Sequence, residues 1–257
     1  MGSTLFDLSG RLALVTGSGR GIGLAIAAGL ADAGARLVLN GRDPDRLLAA
    51  AAAFGPRAVP ALGGFGAFDV ADADAVEAGV ERIEREAGPI DILVNNAGIQ
   101  RRGPLDRFPV ETWHEVMRTN LDSVFLVGRA VASRMIGRGA GKIINIASLQ
   151  SEAARPGIAP YSASKGAVKM LTRGMCADWA RHGLQVNAIG PGYFATEMNA
   201  ALREDPAFDA WLRGRTPAGR WGRVEELQGA AVFLASDASS FVNGQILYVD
   251  GGVLSVL

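Results

Sequence analysis

A chain of 257 residues with 49% hydrophobic residues is long enough to bury one large α/β core or two small ones. Basic and acidic residues balance at 26 each and the pI is near 6.8, which argues against nucleic acid or an anionic membrane as a partner. The single cysteine, Cys176, rules out an internal disulfide, and no apolar run approaches the ~20 residues of a membrane span, so a soluble cytoplasmic protein is expected.

The first residues show no basic region leading into an apolar stretch, so no secretory signal is expected. Phe6 stands where an N-myristoylation start at Gly2 needs Ser or Thr. Short apolar or β-branched runs at 12–16, 36–40, 66–69, 90–94, 142–147, 185–189 and 246–249 predict about seven strands. Several are apolar throughout, the pattern of strands covered on both faces. Between them, 21–33, 43–54, 72–87, 110–136, 161–181, 196–212 and 224–235 predict helices. Alanine, the best helix former, fills much of 47–54, and Asp72 opens the third helix with negative charge at the positive end of its dipole. Strands and helices alternating in this way make βαβ units on a parallel, doubly wound sheet with helices on both faces. No linker, repeat or break in composition divides the chain, so residues 1–257 read as a single α/β domain. Cys176 falls on a predicted amphipathic helix and reads as a packing thiol. His114 and His182 lack metal-ligand spacing, so no metal is expected.

After the first strand comes Thr16-Gly17-Ser18-Gly19-Arg20-Gly21-Ile22-Gly23, which opens the first helix. Glycines at 17, 21 and 23 allow a tight turn, close approach of the backbone to a pyrophosphate, and close helix–strand packing. Phosphates are then expected at the helix N-terminus, where free N–H groups and the dipole favour anions. Strand–glycine turn–helix at the front of a βαβ unit marks a Rossmann-type dinucleotide site. An NAD site carries Asp or Glu at the end of the second strand, whereas this chain has Asn40-Gly41-Arg42. No carboxylate there repels a 2′-phosphate, and Arg42 and Arg20 are both placed to pair with one. NADP is therefore expected in preference to NAD.

Tyr161 and Lys165 are four apart and share one face of a predicted helix. An ammonium near a phenol favours the phenolate, and moving a phenol from ~10 to ~7 takes about 4 kcal/mol. A phenol tuned in this way works as acid and base at neutral pH.

Together, Thr16-Gly-x-x-x-Gly-x-Gly23, Asp69, Asn95-Asn96-Ala97-Gly98, Asn120, Ser148, Tyr161-x-x-x-Lys165 and Pro191-Gly192 with Thr196 give the chain a clear resemblance to the short-chain dehydrogenase/reductase family along essentially its full length. The resemblance implies that Asp69 and Val70 flank the adenine and that Asn95, Asn96, Ala97 and Gly98 support the sheet and the cofactor. It implies that Lys165 holds the nicotinamide ribose and lowers the Tyr161 pKa, that Ser148 bonds the substrate oxygen, and that Asn120 positions a water leading from Lys165 to solvent. Pro191, Gly192, Phe194 and Thr196 would lie along the nicotinamide. Gly19 departs from the Ser that NADP-using relatives often have. Homotetramers are usual in the family, and the apolar tail after 244 suits a subunit contact.

Segments 95–102, 149–161, 192–198 and 215–222 further resemble family members that act on sugar acids, which implies a small polyhydroxy acid as substrate. Arg101 and Arg102 follow the fourth predicted strand at its carboxyl edge, where open α/β sheets bind ligands. One of them is expected to fork onto the substrate carboxylate, with Gln150 and Glu152 reaching hydroxyls. Arg155, between Ser148 and Tyr161, is a further candidate. The rival readings are a reductase of ketoacyl thioesters or other polyols, and a non-catalytic NADP-binding protein on the same fold.

Overall fold

Leu12–Val15 (β1) is buried at every position because its side chains are apolar on both faces and both faces are covered. It pairs on one side with Arg36–Leu39 (β2) and on the other with Ile92–Asn95 (β3). Gly141–Ile146 (β4), Leu184–Pro191 (β5) and Ile246–Val249 (β6) continue the sheet in the order β2-β1-β3-β4-β5-β6, every pair parallel. This computed structural model describes residues 4–58 and 66–256, so the Gly2 start and the last residue of the tail, Leu257, lie outside the described residues.

Side chains alternate between two cores. Leu12, Leu14, Leu93 and Ile143 join the core beneath Ala73–Ala87 (α3), Ser123–Arg138 (α5) and Ala159–Trp179 (α6). Ala13, Val15, Ile92, Val94 and Ile144 join the opposite core beneath Gly21–Asp32 (α1) and Gln228–Ala235 (α9). Pro44–Ala52 (α2) is capped by Asp43, which accepts from Asp45 N and Arg46 N, and α3 by Asp72, which accepts from Ala75 N.

Among the described residues the sheet has six strands, because 66–69 is not one of them. Ala67 makes only a single bridge to Gly41. The Asn40 side chain explains the shortfall: its Nδ2 donates to Gly66 O (2.7 Å) and Phe68 O (3.2 Å) and replaces the ladder a strand would need. Two predicted helices are also broken. The stretch 110–136 divides into Val110–Met117 (α4), a π-turn at Arg118–Asp122, and α5. The stretch 196–212 divides into Ala200–Arg203 (α7) and Pro206–Arg215 (α8). Pro206 cannot continue a helix and disfavours helical backbone before it, while Asp205 caps the new start. The stretch 224–235 opens with a 3-10 turn at Val224–Leu227 before α9 begins at Gln228, and the remaining helix limits differ from the predicted ones by a residue or two.

The order in which strands are added reverses at β1, with β2 on one side and β3 on the other, all parallel. Beyond the carboxyl ends of these strands a crevice must open, and ligands bind there in open α/β sheets. No helix among the described residues is long and apolar enough to cross a membrane.

Candidate active site

A cleft of about 1050 Å³ lies over the carboxyl ends of the strands, large enough for an extended ligand. The glycine turn forms its floor. Gly17 has φ +61°, a left-handed backbone, and a Cβ there would lie 2.9 Å from Ala97 Cα. A Cβ on Gly23 would lie 2.4 Å from Asn96 Nδ2. Arg20 extends before α1 and its side chain caps no N–H, so the first-turn amides of Gly21, Ile22 and Gly23 line the cleft uncapped. Such a turn fits a dinucleotide pyrophosphate. Asn40 Oδ1, buried and without a partner, marks another point at which a ligand is needed.

Of the residues expected to bind cofactor, Gly17, Arg20, Gly21, Ile22 and Gly23 line this cleft with Asn40, Arg42, Asp69 and Val70. Ala97, Gly98, Tyr161, Lys165, Pro191, Gly192, Phe194 and Thr196 line it as well. Two do not. Ser18 is buried, with its hydroxyl donating to Val15 O (2.8 Å) and accepting from Asn40 N (3.1 Å), so it staples β1 to β2. Asn95 is also buried and donates to Asn145 Oδ1 (2.9 Å). Asn96 ties the two loops together through Thr16 O (2.9 Å) and Gly17 O (3.0 Å).

Arg20 pairs with Glu197 at 2.6 Å, both side chains exposed, while Arg42 lines the same cleft with no ion-pair partner among the described residues. Arg46, one turn further along α2, joins Arg42 in the cleft wall and was not expected there. A Cβ on Gly19 would meet its stem, with Arg46 Cγ and Cδ each at 3.3 Å.

The first turns of α6 set Tyr161 and Lys165 on one face, beside Ser148 at the end of β4. Ser148 Oγ accepts from Gln150 N (3.1 Å), which leaves its single hydrogen free to donate toward the Tyr161 phenol. Lys165 is buried and donates to Ile146 O (2.6 Å), with Nζ 5.9 Å from the Tyr161 ring centroid. Burial lowers Lys165 to about 8. The expected lowering of the Tyr161 pKa does not occur in this arrangement: burial raises the phenol, the Ser148 hydrogen bond opposes the rise, and Tyr193 adds to it. The lysine is tied to a strand carbonyl, and desolvation prevails.

Asn120 does not line the cleft. It sits fully buried in the π-turn, a distortion often found at functional sites. Its Oδ1 accepts from Ile99 N (2.7 Å) and its Nδ2 donates to Ile99 O (2.9 Å) and Ser164 Oγ (3.1 Å). Ser164 in turn donates to Tyr161 O (2.7 Å). Asn120 therefore links the loop after β3 to the first turn of α6.

At the β5 end, Ser148, Gln150, Arg155, Tyr161 and Tyr193 share the cleft wall. Arg101 lines it too, but its fork is taken by Glu115 (Nη2–Oε1 2.7 Å, Nε–Oε2 3.1 Å). Arg102 is not among the residues that line the cleft, and it donates to Gln100 Oε1 (3.2 Å). Glu152 turns away to Lys169 and to Tyr248 (2.7 Å from its hydroxyl), so it does not reach a substrate in the cleft. Tyr193 was missed as a site residue, although its place directly after Pro191-Gly192 was a usable signal. Phe208, Trp211 and Trp221 pack on it edge-on, with centroids 5.9, 6.2 and 6.0 Å away.

A family model described as enoyl-(acyl carrier protein) reductase matches residues 17–254. The chain is 62% identical to gluconate 5-dehydrogenase of Gluconobacter oxydans (strain 621H), covering 97% of this chain and 96% of that one. It is 54% identical to 5-keto-D-gluconate 5-reductase of Escherichia coli (strain K12), covering 97% and 98%. Its fold superposes with a TM-score of 0.93 on a gluconate 5-dehydrogenase from Burkholderia cenocepacia J2315 in complex with NADP and tartrate, 60% identical with 98% of each chain covered.

Proposed function

The chain belongs to the short-chain dehydrogenase/reductase family of oxidoreductases acting on CH–OH groups, and from that premise we propose that it interconverts D-gluconate and 5-keto-D-gluconate with NADP(H). The observation that carries this reading is one cleft that holds the uncapped glycine turn, the Ser148–Tyr161–Lys165 cluster and an arginine-bearing inner end. A nicotinamide dinucleotide, when bound, supplies or accepts the hydride. Gly21, Ile22 and Gly23 would hold its pyrophosphate, Lys165 its ribose, and Arg42 with Arg46 a 2′-phosphate. Arg20 would have to leave Glu197 to join them.

In reduction, the Tyr161 hydroxyl gives its proton to the substrate oxygen, and in oxidation the phenolate takes it back. Ser148, its rotor set by Gln150 N–H, donates to that same oxygen and stabilises the charge that develops there. Lys165 stabilises the phenolate left after proton donation. Asn120 holds the loop and helix on which this cluster depends. The same reading includes a cytoplasmic homotetramer, supported by the exposed Phe125 and Met170 on α5 and α6 and by Phe241.

The test is purified protein with 5-keto-D-gluconate, following NADPH absorbance, beside acetoacetyl thioester, sorbitol and mannitol. The sugar acid is expected to turn over best, and Tyr161→Phe to lose at least about 100-fold in kcat. A Tyr161→Phe enzyme with wild-type kcat would defeat the acid–base assignment, and a preference for the thioester would defeat the substrate.

A further inference from the structure

Arg155 in the cleft wall and Arg102 near it have no ion-pair partner among the described residues. The Arg155 guanidinium lies over the Phe208 ring, with Cζ 5.3 Å from its centroid. Phe208 is itself held by Tyr193, Trp211 and Trp221 at 5.9, 5.2 and 6.3 Å. A planar guanidinium stacked in this way keeps its in-plane N–H groups for a ligand, the geometry that suits a carboxylate. The Tyr193 hydroxyl is shared by Arg155 and by Gln150 Nε2, the latter at 3.5 Å. Arg102 is near enough for its charge to bear on both Arg155 and Tyr193.

Two neighbouring guanidiniums repel each other, and an anion between them would relieve that repulsion. The acid of the aromatic wall is already committed: Asp209 accepts from Trp221 Nε1 and Arg213 Nε, each at 2.6 Å. Arg155 Nε and Gln150 Oε1 are buried without hydrogen-bond partners, and Gln150 is only 8% exposed. A buried polar atom left unpaired is expensive, so these atoms point to a ligand.

We infer that Arg155, assisted by Arg102 and Tyr193, forms the carboxylate subsite that seats a sugar acid with its reacting carbon at Ser148 and Tyr161. The inference deepens the sugar-acid reading above and rests on it. An acid held at this end orients the polyol chain along the cleft, so Arg155 selects acids over neutral polyols of the same length.

The decisive pair is an acid and its uncharged counterpart: D-gluconate against D-glucitol in binding, and 5-keto-D-gluconate against L-sorbose in turnover. Calorimetry on NADP-loaded wild type should find D-gluconate bound at least about 10-fold more tightly than D-glucitol, and Arg155→Ala should abolish that margin. In kinetics, Arg155→Ala should raise KM for 5-keto-D-gluconate about 10- to 100-fold, with kcat and the L-sorbose parameters within about 3-fold. NADPH fluorescence titration checks that the variant is folded. If Arg155→Ala fails that check, Arg155→Lys carries the test, since it keeps the charge but loses the fork and should still lose about 5-fold or more in acid discrimination. Wild-type discrimination in a folded variant overturns the subsite while leaving the proposed reaction standing. If wild type reduces no 5-keto-D-gluconate, the proposed reaction falls, and calorimetry still decides the subsite: equal wild-type affinity for D-gluconate and D-glucitol would sink it.

Discussion

Removing the Asn120 side chain should loosen the protein by a predictable amount. Its amide makes three hydrogen bonds in a fully buried position, two to the backbone of Ile99 and one to Ser164 Oγ. In Asn120→Ala the Ile99 N–H and C=O both lose their partner within a half-buried loop. At about 1–1.5 kcal/mol for each lost bond, the total is roughly 3–4.5 kcal/mol. A chain of this size shifts by about 2–4 °C per kcal/mol, so Tm should fall by about 6–18 °C. Urea denaturation followed by circular dichroism measures the loss, and NADPH titration reports the slack passed on to Gly98 and Ile99 in the cleft wall. Asn120→Asp separates the two halves of the amide. It keeps an acceptor for Ile99 N but sets a carboxylate oxygen against Ile99 O, so it should be no more stable than Asn120→Ala at neutral pH. A loss below about 1 kcal/mol in the alanine variant, or wild-type stability in the aspartate variant, would refute the account of Asn120 as the tie between loop and helix.

Three further outcomes follow from the cleft and the core. Arg42→Ala and Arg20→Ala should each raise KM for NADP about 10-fold and leave NAD kinetics unchanged, because each removes a charge-assisted partner of a 2′-phosphate. Equal wild-type efficiency with both cofactors would remove the basis for NADP selection. Because burial raises Tyr161, the phenol is protonated across the neutral range, so gluconate oxidation, which needs the phenolate, should accelerate between about pH 7 and pH 9. Reduction should decline above about 8, where Lys165 loses its charge, and a reduction rate that is flat through that point would contradict the role given to Lys165. Lys142 is buried on β4 with a long hydrogen bond to Ser239 (3.4 Å), and burial, partly offset by Asp237, lowers it to about 8. With the folded pKa below the ordinary 10.5, the unfolded chain holds the extra proton between these values, so wild-type stability from this group rises as pH climbs from about 8 to 10.5. Lys142→Met should therefore stabilise by about 1–3 kcal/mol near neutral pH, with the gain shrinking in alkali, as denaturant midpoints at two pH values would reveal.

Much of the architecture is legible in the chain because its signals are local. Apolar runs bounded by turns mark β1 to β6, and glycines at 17, 21 and 23 declare a turn that side chains would obstruct. The four-residue spacing of Tyr161 and Lys165 places them on one helical face before any fold is known. Failures occur where a distant group competes for the backbone or for a charge. The stretch 66–69 reads as a strand, yet Asn40 takes the Gly66 and Phe68 carbonyls. The stretch 110–136 reads as one helix, yet Asn120 needs a π-turn to bind Ile99. Pro206 is the exception: its break in 196–212 was local and open to be read.

Charged side chains divide the two kinds of knowledge most clearly. Residue types and spacing established that phosphate, phenol, amine and guanidinium chemistry would be present, and on which segments. They did not establish that Arg101 belongs to Glu115, that Glu152 faces Tyr248 from 96 positions away, or that Arg155 lies open on Phe208. Periodicity and steric demand act over a few residues, so a linear reading captures them. The partner of a long polar side chain is whichever group packing brings within hydrogen-bond reach, and only the folded chain determines that.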